Sequence, residues 1–302
     1  MPRDERSGRA GRLRSEHAKV ARMNVAVVTD STAYLPDGIA DEHGIGIVPL
    51  HVVLGLRTGA EGIEVAPAEV ASALAERRIE VSTSRPTPSD FAAAYRAAAS
   101  PCVVSVHLSG ALSGTVEAAR LAADEVGPEG IEVRVVDSGT IAMGLGFAVL
   151  AAAGAAASGA DADAVSAAAT AAAAATTTLF YVDTLEHLRR GGRIGAAAAL
   201  FGTALAVKPL LHVVDGRIAP LEKVRTASKA LARLEDLAVG IAGDGPVDIA
   251  VHHLAAQDKA TAFADRLRDR VPGLQSTYVS EVGAVVGAHV GPGLLGVVVS
   301  RR

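Results

Sequence analysis

From Asn24 the chain alternates short apolar runs with longer stretches of helical period. VAVVT leads through the polar turn DSTAYLP into a short helix ending near Glu42. A second run, IGIVPLHVVLG, passes into RTGAEGIEV, whose glycines predict a small hairpin within about residues 50–66. Helical period returns from Pro67 to Arg78. In STSRPTPSD, Thr87 supplies a cap, Pro88 the first helical position and Asp90 a carboxylate at the third. CVVSVHL and IEVRVVD follow, each leading through a turn into another helix.

This order predicts an α/β fold in which residues 23–160 form a doubly wound, mostly parallel sheet. In such sheets ligands bind beyond the carboxyl ends of the strands, where the turns DST, LSGALSGT and DSGT fall. After the alanine-rich helices the character changes. FYVD, LAVKPLLHVVDGRIAPLEKV, VDIAVHHL, STYVSEV and LLGVVVS read as strands, interleaved with helices near 226–240 and 257–270. Asp215-Gly216 between two apolar stretches marks a hairpin. Residues 161–302 are therefore expected to form an α+β domain with a largely antiparallel sheet, with the boundary near 158–163. No internal repeat is evident.

Composition narrows the function classes. Of 302 residues, 50% are hydrophobic, which marks a globular chain long enough for two domains. A formal charge of −4 and 3% aromatic residues give neither an electrostatic footprint nor stacking platforms for nucleic acid. The single Cys102 supports no disulfide framework and no metal cluster. Arg3, Arg6, Arg9, Arg12, Arg14, Lys19 and Arg22 make residues 1–22 a basic extension expected to be disordered, with Met23 as a functional start. MNVAVV behind it is too short for a signal sequence. The uncharged runs at 140–160 and 164–182 are mostly Ala, Gly, Ser and Thr, too poor in insertion-driving residues for stable membrane insertion. A cytoplasmic location is expected.

Four groups of residues carry candidate chemistry. Ser109, Gly110, Ser113 and Gly114 lie between an apolar strand and a helix, an arrangement that aims hydroxyls and N–H groups at an anion, or that simply caps the helix. GALSGT lacks the G-x-S-x-G pattern of a hydrolase elbow. Thr83 and Ser84 stand before Arg85-Pro86, which favours extended backbone and exposes two hydroxyls. His289 lies in the glycine-rich stretch VGAHVGPGLLG, while His252 and His253 alternate across a strand and make no metal pair. Arg189, Arg190 and Arg193 around Gly191-Gly192 read as a helix stop signal and equally as a cationic docking patch.

Taken together, VAVVTDSTAYLP, STSRPTPSDF, HLSGALSGTVEAAR, VVDSGTIAMGLG, LEHLRRGGRI, KPLL…DGRI and HVGPGLLGVVV occur in the order found in the DegV family, which the chain resembles from about Met23 to Ser300. The resemblance implies two α/β domains enclosing a long-chain fatty acid, with no further cofactor, no metal and no intrinsic catalysis. It places the carboxylate on Thr83, Ser84, Ser113 and His289, with the Gly114 N–H as an additional donor. It also implies a partner, an ATP-dependent fatty acid kinase that would phosphorylate the presented carboxylate, for which Arg189, Arg190 and Arg193 are the candidate docking residues. Where the family has glutamine in T-S-Q-P, this chain has Arg85. Two alternatives stand beside it: a small-molecule kinase or hydrolase related to the dihydroxyacetone kinase substrate domain, and a carrier of another carboxylated lipid.

Overall fold

The computed structural model describes residues 25–76, 79–200 and 208–302, so the basic extension expected at 1–22 lies outside the described residues. Its strands, in chain order, are β1 (Ala26–Asp30), β2 (Gly46–Val48), β3 (His51–Leu54), β4 (Arg57–Ala60), β5 (Val81–Ser84), β6 (Cys102–His107), β7 (Glu132–Asp137), β8 (Thr176–Tyr181), β9 (Lys208–Val214), β10 (Arg217–Val224), β11 (Val247–His253), β12 (Leu274–Glu281) and β13 (Leu295–Arg301). They form three sheets.

The first sheet has the order β2-β1-β6-β7 and is parallel throughout. Its central strands β1 and β6 are buried along nearly their whole length, which is why they read as continuous apolar runs rather than alternating ones. One face carries the helices Pro88–Ala97 and Thr115–Val126, joined to the sheet through Phe91, Tyr95, Ala118 and Ala122. Thr87 and Asp90 close the capping box that the sequence predicts. The other face carries the helices Met143–Ala157 and Ala162–Ala174.

The helix Met143–Ala157 has no polar side because both of its flanks are covered. Leu145, Ala148, Val149 and Ala152 pack on the first sheet, while Met143 and Phe147 reach Ala250 and Val298 of the last sheet. A helix apolar all round is a buried one, and among the described residues no helix is long and apolar enough to cross a membrane. Val165, Ala169 and Ala173 also join the apolar cluster of the first sheet. The helix Ala162–Ala174 thus packs with the first sheet although it follows the 158–163 boundary expected from composition.

The last sheet has the order β10-β9-β8-β13-β11-β12 and is antiparallel except for the β11–β12 pair. Asp215 and Gly216, both with positive φ, make the β9–β10 turn. Helices Ala227–Ala242 and Gln257–Arg270 cover its outer face. Its inner face turns toward the first unit.

The expected hairpin at 50–66 is β3–β4, but it has a third strand. The apolar run IGIVPLHVVLG is divided at Pro49-Leu50 into β2 and β3, which belong to different sheets. β5 then pairs with β3, placing Thr83 opposite Val52 and Ser84 opposite His51. A strand of the insert thus delivers the T-S pair to the space between the units.

Beneath the first sheet's carboxyl end lies a buried polar chain. Asp30, fully buried, accepts from the N–H of Thr32 at 3.1 Å, the N–H of Leu108 at 3.0 Å and His107 Nδ1 at 3.0 Å. His107 Nε2 is 2.6 Å from Ser105 Oγ, which accepts from the Tyr95 hydroxyl at 2.9 Å. The contacts follow a Ser-His-Asp order, yet Ser105 and His107 are wholly enclosed, so this relay ties strands to the Pro88–Ala97 helix instead of meeting a substrate. Removing the carboxylate orphans several buried donors at about 1–3 kcal/mol each. Asp30→Ala is expected to lower unfolding free energy by at least about 3 kcal/mol in urea titration.

Candidate ligand-binding site

Between the units lies a narrow apolar chamber with a cavity volume of about 100 Å³. Its roof comes from the first unit, through Leu50, Leu108, Leu112 and Ile141. Its floor is the inner face of the last sheet, where Thr178, Phe180, Gly296 and Val298 lie on adjacent positions of β8 and β13. Val285, Val286, His289 and Val290 of the helix Ala284–Val290 form one wall. No single segment could make this space, since each wall is one buried face of an element whose other side packs into a core.

Polar groups gather at one end. His289 Nε2 is 2.8 Å from Thr83 Oγ1, so the histidine of the C-terminal unit meets the insert strand of the N-terminal one. Ser84, Ser113 and Arg193 line the chamber beside them. Ser113 Oγ is 2.8 Å from Thr115 Oγ1, and Gly114, the N-cap of the helix Thr115–Val126, lies beneath Arg85, itself a chamber residue. His289 Nδ1 is buried with no hydrogen-bond partner. It is pressed against Gly191, where an added Cβ would overlap the imidazole. A neutral ring with one nitrogen bonded and one held in reserve can donate to, or accept from, a ligand head group.

Thr83, Arg193 and His289 also line a second, more polar cleft on their far side, with His187, Arg190, Ser82 and Glu80. The Thr83–His289 contact is thus a partition between an apolar chamber and a polar surface hollow.

Thr83, Ser84, Ser113 and His289 all line the chamber, Gly114 does not, and the structure separates two groups that the sequence joins. Ser109 does not face the chamber: its hydroxyl donates to Gly216 O at 2.7 Å, binding the first unit to the β9–β10 turn. Gly110 N–H is taken up by the Asp137 carboxylate at 3.1 and 3.2 Å. The three arginines do not form one patch. Arg189 and Arg190 both reach Glu186, at 2.8 Å in each ion pair. Arg193 instead turns inward, donating to Leu112 O at 3.1 Å and Gly191 O at 2.7 Å. Its role as a chamber residue had no signal in the sequence, because the glycines and neighbouring arginines read as a helix stop. Arg85, which also lines the chamber, pairs with Glu117 at 3.0 Å and lies over Gly114, whose missing side chain makes room for it.

At the opposite, apolar part of the chamber His252 is fully satisfied. Its Nε2 accepts from the Met143 N–H at 3.1 Å and its Nδ1 is 3.1 Å from Ser280 Oγ. The neighbouring His253 faces the other way and meets Gln257. Burial pushes the imidazoles of both His252 and His289 down to about 4, with Arg193 adding to the effect at His289. Both rings are neutral in the folded chain at neutral pH.

A sequence profile of the DegV family, described as uncharacterised proteins, matches residues 24–302. A DegV domain-containing protein of Streptomyces coelicolor is 62% identical over 282 residues, covering 92% of this chain and 99% of the relative. Among solved structures, a DegV family protein from Thermus thermophilus described by its fatty acid binding superimposes with a TM-score of 0.86 at 33% identity, over 92% of this chain and 99% of the other. DegV of Bacillus subtilis, described as a fatty acid binding protein, gives 0.85 at 34% identity, over 93% and 100%.

The two depressed imidazoles fix a sign of pH dependence. Between the unfolded value near 6.5 and about 4 the unfolded chain binds protons that the folded one refuses, so stability falls as pH drops through that window. Each histidine is expected to contribute a slope of about 1.4 kcal/mol per pH unit within it. Urea unfolding between pH 6.5 and 4 checks this, with His289→Ala expected to remove its share of the slope.

Proposed function

The chain belongs to the DegV family, and on that premise we propose that it encloses one long-chain fatty acid between its two units and presents the carboxylate to a partner ATP-dependent fatty acid kinase, which forms the acyl phosphate. The observation that carries the reading is the apolar chamber ending on Thr83, Ser84, Ser113 and His289. A linear acyl chain suits a narrow chamber lined by apolar side chains, and each buried CH₂ contributes about 0.8 kcal/mol before association costs. Charge-assisted hydrogen bonds to the carboxylate contribute about 1.5–3 kcal/mol each. In this reading the hydroxyls of Thr83, Ser84 and Ser113, the Gly114 N–H and the His289 imidazole supply them, with Arg193 as a nearby cation. No further cofactor is invoked, and the chain is a binding and presenting subunit with no catalysis of its own.

The kinase reading draws its support from the partition. A head group held at Thr83 and His289 is separated only by that contact from the polar cleft that Arg190 and Arg193 line, so a second protein seated on the cleft would reach it by parting these two side chains. Arg189 and Arg190, exposed on the same segment, are the proposed docking cations; Arg193 belongs to the head-group end.

Native mass spectrometry with denaturing lipid extraction tests the first part. The purified protein is expected to carry one C14–C20 fatty acid, and Ser113→Ala combined with His289→Ala to lose it; a protein that neither carries nor takes up fatty acid overturns the reading. For the second part, Arg189→Glu with Arg190→Glu is expected to abolish kinase-dependent acyl phosphate formation while fatty acid uptake persists. Undiminished formation removes these residues from docking.

A further inference from the structure

A buried carboxylate outside the head-group end joins three parts of the molecule. Glu61, 5% exposed, follows β4 in the insert. Its side chain accepts from the Ser31 hydroxyl in the turn after β1, from the Tyr34 hydroxyl at 3.1 Å and from the Val285 N–H at 2.7 Å. Tyr34 in turn accepts from the Val286 N–H at 3.2 Å. Ser31 also accepts from the Leu50 N–H at 3.1 Å, and the Glu61 N–H donates to Leu50 O at 2.8 Å. Gly283 makes the approach possible, because a Cβ there would strike both the Glu61 carboxylate and the Tyr34 ring.

The Val285 and Val286 N–H groups begin the short helix whose last turn carries His289. Val285 and His289 are four positions apart and therefore share a helix face, and both line the chamber. The first-turn N–H groups of any helix need partners from outside it. Here they come from across the interface between the units: Glu61 from the insert that also carries Thr83, and Tyr34 from the turn after β1. The insert thus grips this helix at both ends, at its start through Glu61 and at its end through Thr83, while Tyr34 of the turn after β1 takes the Val286 N–H.

We propose that Glu61 is a positioning residue for the head-group end: by anchoring the start of the Ala284–Val290 helix to the insert, it sets His289 at hydrogen-bond distance from Thr83. Its effect on ligand holding, which rests on the fatty acid reading above, passes through His289. Loss of the anchor lets the helix shift along the interface, and the Thr83–His289 partition opens.

The test uses the full-length protein as wild type, Glu61→Ala, Glu61→Gln and Thr83→Val, each alone and the first with His289→Ala. In the ligand-free state the His289 imidazole ¹⁵N resonances report its bond to Thr83. Glu61→Ala is expected to move them to where Thr83→Val moves them, and Glu61→Gln, which keeps acceptor and shape, to leave them near wild type. With oleate as probe, Glu61→Ala is expected to weaken binding about tenfold, an effect that disappears when His289 is already alanine. Unchanged resonances in Glu61→Ala, or an equal loss of affinity in the His289→Ala background, overturns the proposal. Should Glu61→Ala fail to fold, Tyr34→Phe, which removes the acceptor of the Val286 N–H and one of the two donors to Glu61 Oε1, carries the same resonance test. Wild type that takes up no oleate counts against the fatty acid reading alone, since the resonances need no ligand.

Discussion

The two sheets share one helix, and that sharing sets the rest. Met143–Ala157 offers Leu145, Ala148 and Val149 to the first sheet and Met143 and Phe147 to the last. Because it exposes no polar face, it is stable only when apolar surfaces close on both sides. The units are thereby held face to face. Where the helix does not fill the space between them, next to Ile141, Ala142 and the inner face of β8 and β13, the chamber remains. A cavity of this kind loses packing contacts along its lining, a cost that an apolar occupant would offset.

Polar groups enter this interface only where a partner meets them. Ser109 finds Gly216 O, Glu61 finds the start of the helix that carries His289, and His252 finds the Met143 N–H. Each of these bonds crosses from one unit to the other, so the interface is fixed in register by directional contacts on an otherwise non-directional apolar surface. Glycine supplies the clearance. Gly191 under His289, Gly114 under Arg85 and Gly283 beside Glu61 stand where any Cβ would displace the polar group. His289 Nδ1 is the exception to this satisfaction, and it sits at the one end of the chamber where a head group is proposed to bind.

Much of the fold was legible because local chemistry and tertiary context agree. The continuous apolar runs of β1 and β6, the Thr87–Asp90 capping box and the Asp215-Gly216 turn are each determined within a few residues. Local signals run out where a neighbour distant in sequence decides. The run IGIVPLHVVLG divides between two sheets because β3 pairs with β5, some thirty residues on. The alanine-rich helix Ala162–Ala174 sits with the first sheet because its partner is Met143–Ala157, which composition does not reveal.

The candidate site divides in the same way. Thr83, Ser84, Ser113, Gly114 and His289 were visible in the sequence as hydroxyls, a glycine and an imidazole beside special backbone, since Arg85-Pro86, the strand-to-helix turn and the glycine loop each constrain their own few residues. Arg193 was not, because its inward turn depends on Leu112 O and Gly191 O, and Glu61 was not, because its partners lie at Ser31, Tyr34 and Val285. The sequence by itself determined which segments become strands, helices and turns, through periodicity and backbone preference acting over a few residues. Only the tertiary structure decided which side chains face one another across the interface, because hydrogen bonds and packing depend on distances in space that separation along the chain does not set.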